Sequence, residues 1–147
     1  MTSARHHRLY HRLQVAAREL QRTADVAIRP SGLSTAQLAV LAVVEADQPV
    51  RQGRVADQLS LTEQALTAMI RRLDSLDLVR RRPDPHDGRS TLLELTPSGT
   101  RTLHDAGARF DVVNEVLDGT FDADELATLA GLLDRIRQAL AEDQPEG

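Results

Sequence analysis

Several side chains that can read the edges of DNA bases recur at helical spacing in the middle of the chain. Gln64, Thr67, Ala68 and Arg71 lie three or four positions apart, so a helix would place them together on one exposed face. Glutamine can pair with adenine, arginine with guanine, and threonine or alanine can contact the thymine methyl group, all in the major groove. The alternative is an ordinary polar helix face in solvent. The candidate base-reading residues of this segment are Thr62, Glu63, Gln64, Thr67, Ala68, Arg71 and Arg72.

A second candidate DNA contact follows in a polar segment, residues 83–89, which is rich in proline, aspartate and glycine. This composition predicts the long tip of a β-hairpin. Arg89 at such a tip can enter the minor groove, whose negative potential is strongest where the groove is narrow. We expect Asp87 to hold the Arg89 guanidinium by a charge-assisted pair and Gly88 to permit the tight backbone path between them. The alternative is a surface ion pair on a solvated turn, which contributes little.

Charge is unevenly distributed along the chain. The formal net charge of -4 by itself argues against nucleic acid, because a DNA-binding protein must neutralise phosphates. However, residues 1–30 hold six arginines against two acidic residues, residues 51–91 hold eight against six, and residues 92–147 hold four against twelve. We therefore expect the basic part to face DNA and the acidic part to face solvent. Within the basic part, Arg51 and Arg54 are candidate phosphate contacts, although ordinary surface arginines are an equal alternative.

Other kinds of chemistry find little support. The absence of cysteine excludes disulfides, thiolate metal sites and thiol-based redox sensing. His7 and His11 have the spacing of metal ligands on a helix, but the arginines around them disfavour a cation, so we predict no metal and no cofactor. His86 with Asp84 and Asp87 forms no enzyme-like site, because no apolar pocket surrounds these residues. No apolar run reaches the length of about 20 residues that crosses a bilayer, and we expect a cytoplasmic protein without a membrane partner.

Apolar periodicity predicts an order of four helices, a hairpin and two further helices. Only one Tyr, two Phe and no Trp occur, so the core must be aliphatic, which suits packed helices. The first four predicted helices cover residues 5–28, the segment from a cap at Ser34 or Thr35 to a stop at 47–49, residues 52–59, and residues 63–76 with a cap at Ser60 or Thr62. The two predicted strands cover 78–82 and 90–95. The last two helices run from Thr96-Pro97 to about 118 and from a capping box at 122–125 to about 141. A short helix, a turn, a longer helix and a two-stranded wing form a winged helix-turn-helix. The predicted class is therefore mainly α with a small β-hairpin wing.

The region from Leu73 to Gly99 resembles the signature of the MarR family of winged helix-turn-helix transcriptional regulators. Its motifs are Leu-Val-Arg-Arg at 78–81, Asp-Gly-Arg at 87–89 and Leu-Thr-Pro-Ser-Gly at 95–99. The order and spacing of all the predicted elements also match, so the resemblance covers nearly the whole chain. Asp77 stands where the family commonly has glycine and must accept whatever turn conformation ends the helix. Aspartate tolerates a left-handed conformation better than most residues.

The resemblance implies one MarR-type domain over residues 1–147, with a DNA-binding lobe at 33–95 and dimerisation helices at 5–28 and 97–142. Apolar stripes on the terminal helices independently favour packing against a second copy. We therefore predict a homodimeric transcriptional repressor, not an enzyme, that binds double-stranded DNA at a pseudo-palindromic operator.

The resemblance also implies release from DNA by a small aromatic or anionic effector. We place its pocket near Tyr10, Leu38, Arg109 and Phe110. The alternative function is a winged-helix module that binds protein instead of DNA, and the net negative charge is the observation that favours it.

Overall fold

The computed structural model describes the backbone of residues 2–143 and the side chains of residues 8–143. In chain order the elements are α1 (Thr2–Ile28), α2 (Thr35–Asp47), β1 (Val50–Arg51), α3 (Gln52–Leu59), α4 (Glu63–Ser75), β2 (Val79–Asp84), β3 (Asp87–Leu95), α5 (Pro97–Thr120) and α6 (Ala123–Glu142). A short 3-10 helix, Arg29–Ser31, follows α1. The predicted class, mainly α with a hairpin wing, is confirmed. The sequence also predicts fraying from Glu142 onward; Glu142 still lies in α6, and residues 144–147 lie outside the described part of the chain.

Side-chain caps determine where the helices of the DNA-binding motif begin. Ser34 caps α2 in a capping box with Gln37. The hydroxyl of Thr62 caps α4 by accepting a hydrogen bond from the backbone N–H of Ala65 at 3.1 Å. Ser60 instead ends α3 in the left-handed conformation. Each cap satisfies a backbone donor that a helix start leaves unpaired, which decides both alternatives that the sequence left open.

The core lies between α2, α3, α4, the sheet and the start of α5 and is built of aliphatic side chains. Leu66, Ile70 and Leu73 of α4 are fully buried in it, as their spacing predicts. Because the buried stripe fixes the rotation of α4 about its axis, the opposite face of this helix points to solvent.

The wing belongs to a three-stranded antiparallel sheet in the order β1-β3-β2. The predicted long tip is shorter in the structure, where Asp84 pairs with Asp87 and Pro85 and His86 connect the strands. The register shifts between Pro83 and Asp84, so residues 88–90 have no partner on β2. Pro83 lies in β2, which is an edge strand of the sheet, where proline is tolerated. The two-residue strand β1, which pairs with β3, was not predicted because it is too short to show an alternating pattern.

The turn between α4 and β2 packs tightly against the start of α5. Asp77 has a φ of 56°, a left-handed conformation that aspartate tolerates better than most residues. The hydroxyl of Thr96 donates to the Asp77 carbonyl at 2.5 Å and accepts from the Gly99 N–H at 2.9 Å. A Cβ atom on Gly99 would lie 1.9 Å from the carbonyl oxygen of Leu78. Close backbone packing therefore explains why threonine and glycine occupy these two positions.

Helix α1 contacts α2 through its C-terminal end, where Ala24 and Ile28 are buried. Asp25 accepts hydrogen bonds there from Gln21 and Thr35. No single helix among the described residues is long and apolar enough to span a membrane. Helices α1 and α2 reach that length and apolar character only when taken together as a bent pair.

The chain divides into two compact units, one up to Phe110 and one from Asp111 onward. The second unit contains the C-terminal part of α5 and all of α6. Helix α6 has no buried residue, and five of its large apolar side chains are 36–62% exposed. They are Leu129, Leu132, Leu133, Ile136 and Leu140. The assignment of residues 33–95 to a DNA-binding lobe and of the terminal helices to dimerisation remains a prediction.

Candidate nucleic-acid interface

The solvent-facing side of α4 carries most of the predicted base-reading residues. Gln64, Ala68 and Arg71 are exposed. Thr67 is only half-buried, and its hydroxyl accepts a hydrogen bond at 2.9 Å from the side-chain amide of Gln52 at the start of α3. Through this hydrogen bond, Thr67 also links α4 to the start of α3. The exposed surface available for base contacts is therefore narrower than the sequence spacing suggested.

The other predicted residues of this segment surround that face. Thr62 is the N-cap of α4, and Glu63 occupies its first turn. Arg72 is exposed in the last turn. Within residues 8–143, neither Arg71 nor Arg72 forms a side-chain ion pair. Both guanidinium groups are therefore available to an external anion.

The wing holds Arg89 by its backbone. One carboxylate oxygen of Asp87 accepts from the Arg89 N–H at 3.1 Å, and the other accepts from the Ser90 hydroxyl at 2.8 Å. The predicted pair between Asp87 and the Arg89 guanidinium is therefore wrong. The carboxylate closes a local turn instead, and the described part of the chain offers the guanidinium no acidic partner.

The role predicted for Gly88 is also wrong. This residue lies in β3, and its φ is not in the left-handed region that favours glycine. A Cβ atom there would meet open space. The backbone path beside Arg89 therefore does not depend on glycine.

The two predicted phosphate contacts both have acidic partners. The Nε of Arg54 lies 3.5 Å from Asp47, and the Nε of Arg51 lies 2.8 Å from Asp84. The hydrogen bond from the His86 N–H, together with the Arg51 guanidinium, lowers the pKa of Asp84 below its ordinary value, against the opposing effect of burial. Asp84 therefore stays ionised at neutral pH, and it neutralises Arg51.

The starts of α3 and α4 and the strand β3 border an open groove. Its lining includes Gln52, Arg54, Glu63, Arg89 and Thr91. The groove lies between α3, the first turn of α4 and the wing. Arg54 of α3 and Arg89 of the wing both line it, and Glu63 is the charged residue that α4 contributes.

The four predicted effector residues have different surroundings in the structure. Leu38 is part of the core, and Phe110 packs against that core. Tyr10 is exposed on α1, where its hydroxyl accepts a hydrogen bond from Gln14, and Arg109 is exposed on α5. The open cavities beside α1 are lined by other residues, among them Arg29 and Asp25.

The chain is similar to known proteins in sequence as well as in architecture. A family model described as the MarR family matches residues 31–90. The multiple antibiotic resistance protein MarR of Salmonella typhimurium is 30% identical over 110 residues, which cover 74% of this chain and 76% of that protein. The chain belongs to the MarR family. It is therefore a member of a family of transcriptional regulators and not of enzymes, as predicted.

Solved structures of MarR-family proteins share the fold. The PcaV transcriptional regulator from Streptomyces coelicolor, in complex with its natural ligand, has a TM-score of 0.75 and 30% identity, covering 90% of this chain and 91% of that one. A single-site mutant of MarR from E. coli, complexed with operator DNA, has a TM-score of 0.80 and 27% identity, covering 87% of this chain and 92% of that one. A relative solved with operator DNA thus shares the fold.

The roles of Asp84 and Gln52 were not predicted from the sequence. Asp84 pairs with Arg51, and Gln52 donates a hydrogen bond to Thr67. Asp84 was considered only as part of an enzyme-like cluster and set aside. The available signal was the Asp-Pro-His order, because an aspartate before such a turn commonly accepts a backbone N–H two residues later. The partners of both residues lie on other elements.

Proposed function

We propose that this MarR-family protein is a sequence-specific DNA-binding repressor that acts as a homodimer and occupies a pseudo-palindromic operator. The observation that carries the proposal is the combination of an exposed polar face on α4 with the unpaired guanidinium of Arg89 on the adjacent wing, both within the described residues. Helix α4 enters the major groove, where Gln64 and Arg71 contact base edges, and Arg89 enters the flanking minor groove. This activity belongs to the cytoplasm, where the DNA is.

DNA binding is expected to weaken steeply as the salt concentration rises. Each phosphate that an arginine neutralises releases counterions, so the logarithm of the binding constant falls with the logarithm of salt by about 0.9 per phosphate contact. The measurement is a salt titration on a fragment selected from the protein's own genome. A protein-interaction module, which the net charge of -4 favours, would select no fragment or would bind without this dependence.

The proposed dimer uses the exposed apolar stripe of α6. Its leucines and isoleucine recur at helical spacing between positions 129 and 140, and nothing in the described part of the second unit buries them. A stripe of this kind is stabilised when a second copy covers it, because apolar area then leaves water. The exposed Leu9, Leu13 and Leu20 of α1 supply a second apolar surface.

Replacing Ile136 with glutamate is expected to convert the dimer into a monomer at micromolar concentration. The change places a charge in the middle of the α6 stripe, where a subunit contact would have to desolvate it. Ala127→Glu adds the same charge on the opposite face of α6 and is the matched control. Sedimentation equilibrium gives the masses. A monomeric wild-type protein, or equal masses for both variants, would contradict the assignment of this stripe to the dimer interface.

The proposal includes release from DNA by a small aromatic or anionic effector. It is supported by the similarity to PcaV, which was solved with its natural ligand. Such a ligand changes DNA affinity only to the extent that it binds the free and the DNA-bound conformations differently. The pocket predicted near Tyr10, Leu38, Arg109 and Phe110 remains a prediction.

A further inference from the structure

Asp84 is a buried acidic side chain on a surface proposed to face DNA. Its residue is 5% exposed. One carboxylate oxygen accepts from the Arg51 Nε at 2.8 Å, and the other accepts from the His86 N–H at 2.9 Å. Burying a carboxylate is unfavourable unless it is paired and hydrogen-bonded. The carboxylate is therefore held in one position by partners on two different segments.

The Arg51–Asp84 pair crosses the sheet. Arg51 is the last residue of β1 and pairs with Leu92 of β3, whereas Asp84 is the last residue of β2. Because β3 lies between β1 and β2, the ion pair must span the middle strand. It joins the two edge strands and connects the outer end of the wing to the residue that precedes α3.

Asp84 is also linked, through Asp87, to the backbone of Arg89. Asp84 faces Asp87 across the end of the hairpin, and Asp87 accepts the Arg89 N–H. Arg51 and Arg89 line the same groove. Asp84 is thus linked to Arg89 through Asp87: first by the strand pair, then by the hydrogen bond to the Arg89 backbone. A shift of the Asp84 carboxylate should therefore also shift the Arg89 guanidinium.

We propose that Arg51 and Asp84 are positioning residues that brace the wing and so place Arg89 for DNA binding. The inference rests on the proposed DNA-binding function. It reassigns Arg51, a candidate phosphate contact by sequence, to a structural role. It also makes a prediction opposite in sign to simple electrostatics, because removing a negative charge from a DNA-facing surface should strengthen DNA binding on charge alone.

The test measures operator affinity for the full-length wild type, Asp84→Asn, Arg51→Gln and a matched control, Glu94→Gln. Glu94 lies in the same sheet and pairs with Arg82 at 2.6 Å, but both side chains of that pair are substantially exposed. Asp84→Asn retains one oxygen that can accept the His86 N–H, but it removes the charge and replaces the oxygen that accepts from Arg51 with an NH2 group. We expect Asp84→Asn and Arg51→Gln to weaken binding about tenfold. Glu94→Gln should bind as tightly as the wild type or more tightly.

A double-variant cycle with Arg89→Ala distinguishes positioning from other effects. If Asp84 acts through Arg89, Asp84→Asn should cause no further loss of affinity in the Arg89→Ala background. Tighter binding by Asp84→Asn alone would overturn the inference. A loss that persists at full size without Arg89, as general unfolding would produce, would overturn it as well. Failure of the wild type to bind any operator would instead contradict the proposed function.

Discussion

Arg89→Ala is expected to weaken operator binding about 10- to 100-fold. The guanidinium has no acidic partner within residues 8–143, so binding DNA breaks no existing ion pair. Its backbone N–H is held by Asp87, which lowers the backbone conformational entropy lost on binding DNA. Fluorescence anisotropy with a labelled operator measures the affinity.

Arg82→Ala is the matched control for this experiment. It removes the same charge from the same wing, but Arg82 already pairs with Glu94. Its loss should therefore change the affinity much less. The loss at Arg89 should also be larger on operators with A/T-rich flanks than on G/C-rich ones, because narrow A/T minor grooves attract arginine most strongly. Equal losses for both variants on both flanks would show that Arg89 contributes only general charge.

The parts of the fold that depend on neighbouring residues could be predicted from the sequence. Helix α4 was predicted almost to the residue, because Leu66, Ile70 and Leu73 repeat at helical spacing and all reach the core. Aspartate at position 77 suits the left-handed backbone found there, although the sequence leaves the turn conformation open. The spacing that predicts α4 lies within a few helical turns.

The parts that depend on distant residues could not be predicted. Arg51 and Asp84 are 33 residues apart, and no local pattern links one to the other. Strand β1 exists because two residues pair with β3, which only the folded sheet provides. From the sequence alone, the Asp87 carboxylate could accept from either the guanidinium or the backbone N–H of Arg89. In the folded hairpin, the turn geometry places it against the N–H.

The interface therefore has two layers of different origin. The side chains that would contact DNA follow from local spacing, as with Gln64 and Arg71. The contacts that orient them, such as Gln52 with Thr67, come from other elements. Substitutions in the second layer should change affinity without touching DNA, and Asp84 offers the sharpest test of this.

Gly99→Ala is expected to be the most destabilising of the small substitutions considered. The added Cβ would lie 1.9 Å from the carbonyl oxygen of Leu78 and 2.9 Å from its carbonyl carbon. Both are backbone atoms, so no flexible side chain can move aside. Separating α5 from this turn would also disturb the hydrogen bonds of Thr96. We expect the free energy of unfolding to fall by at least about 1–3 kcal/mol, measured by urea denaturation.

Gly107→Ala makes the same chemical change in the same helix and should have the opposite sign. A Cβ atom at Gly107 meets nothing within 4 Å. Alanine there should stabilise α5 by about 0.5–1 kcal/mol, because glycine loses more backbone entropy in a helix. Comparing the two variants separates helix propensity from close packing. Propensity favours alanine at both positions, so a lower free energy of unfolding for Gly99→Ala must come from the clash with the Leu78 carbonyl. A Gly99→Ala protein as stable as the wild type would mean that the turn and α5 do not approach as closely as the structure shows.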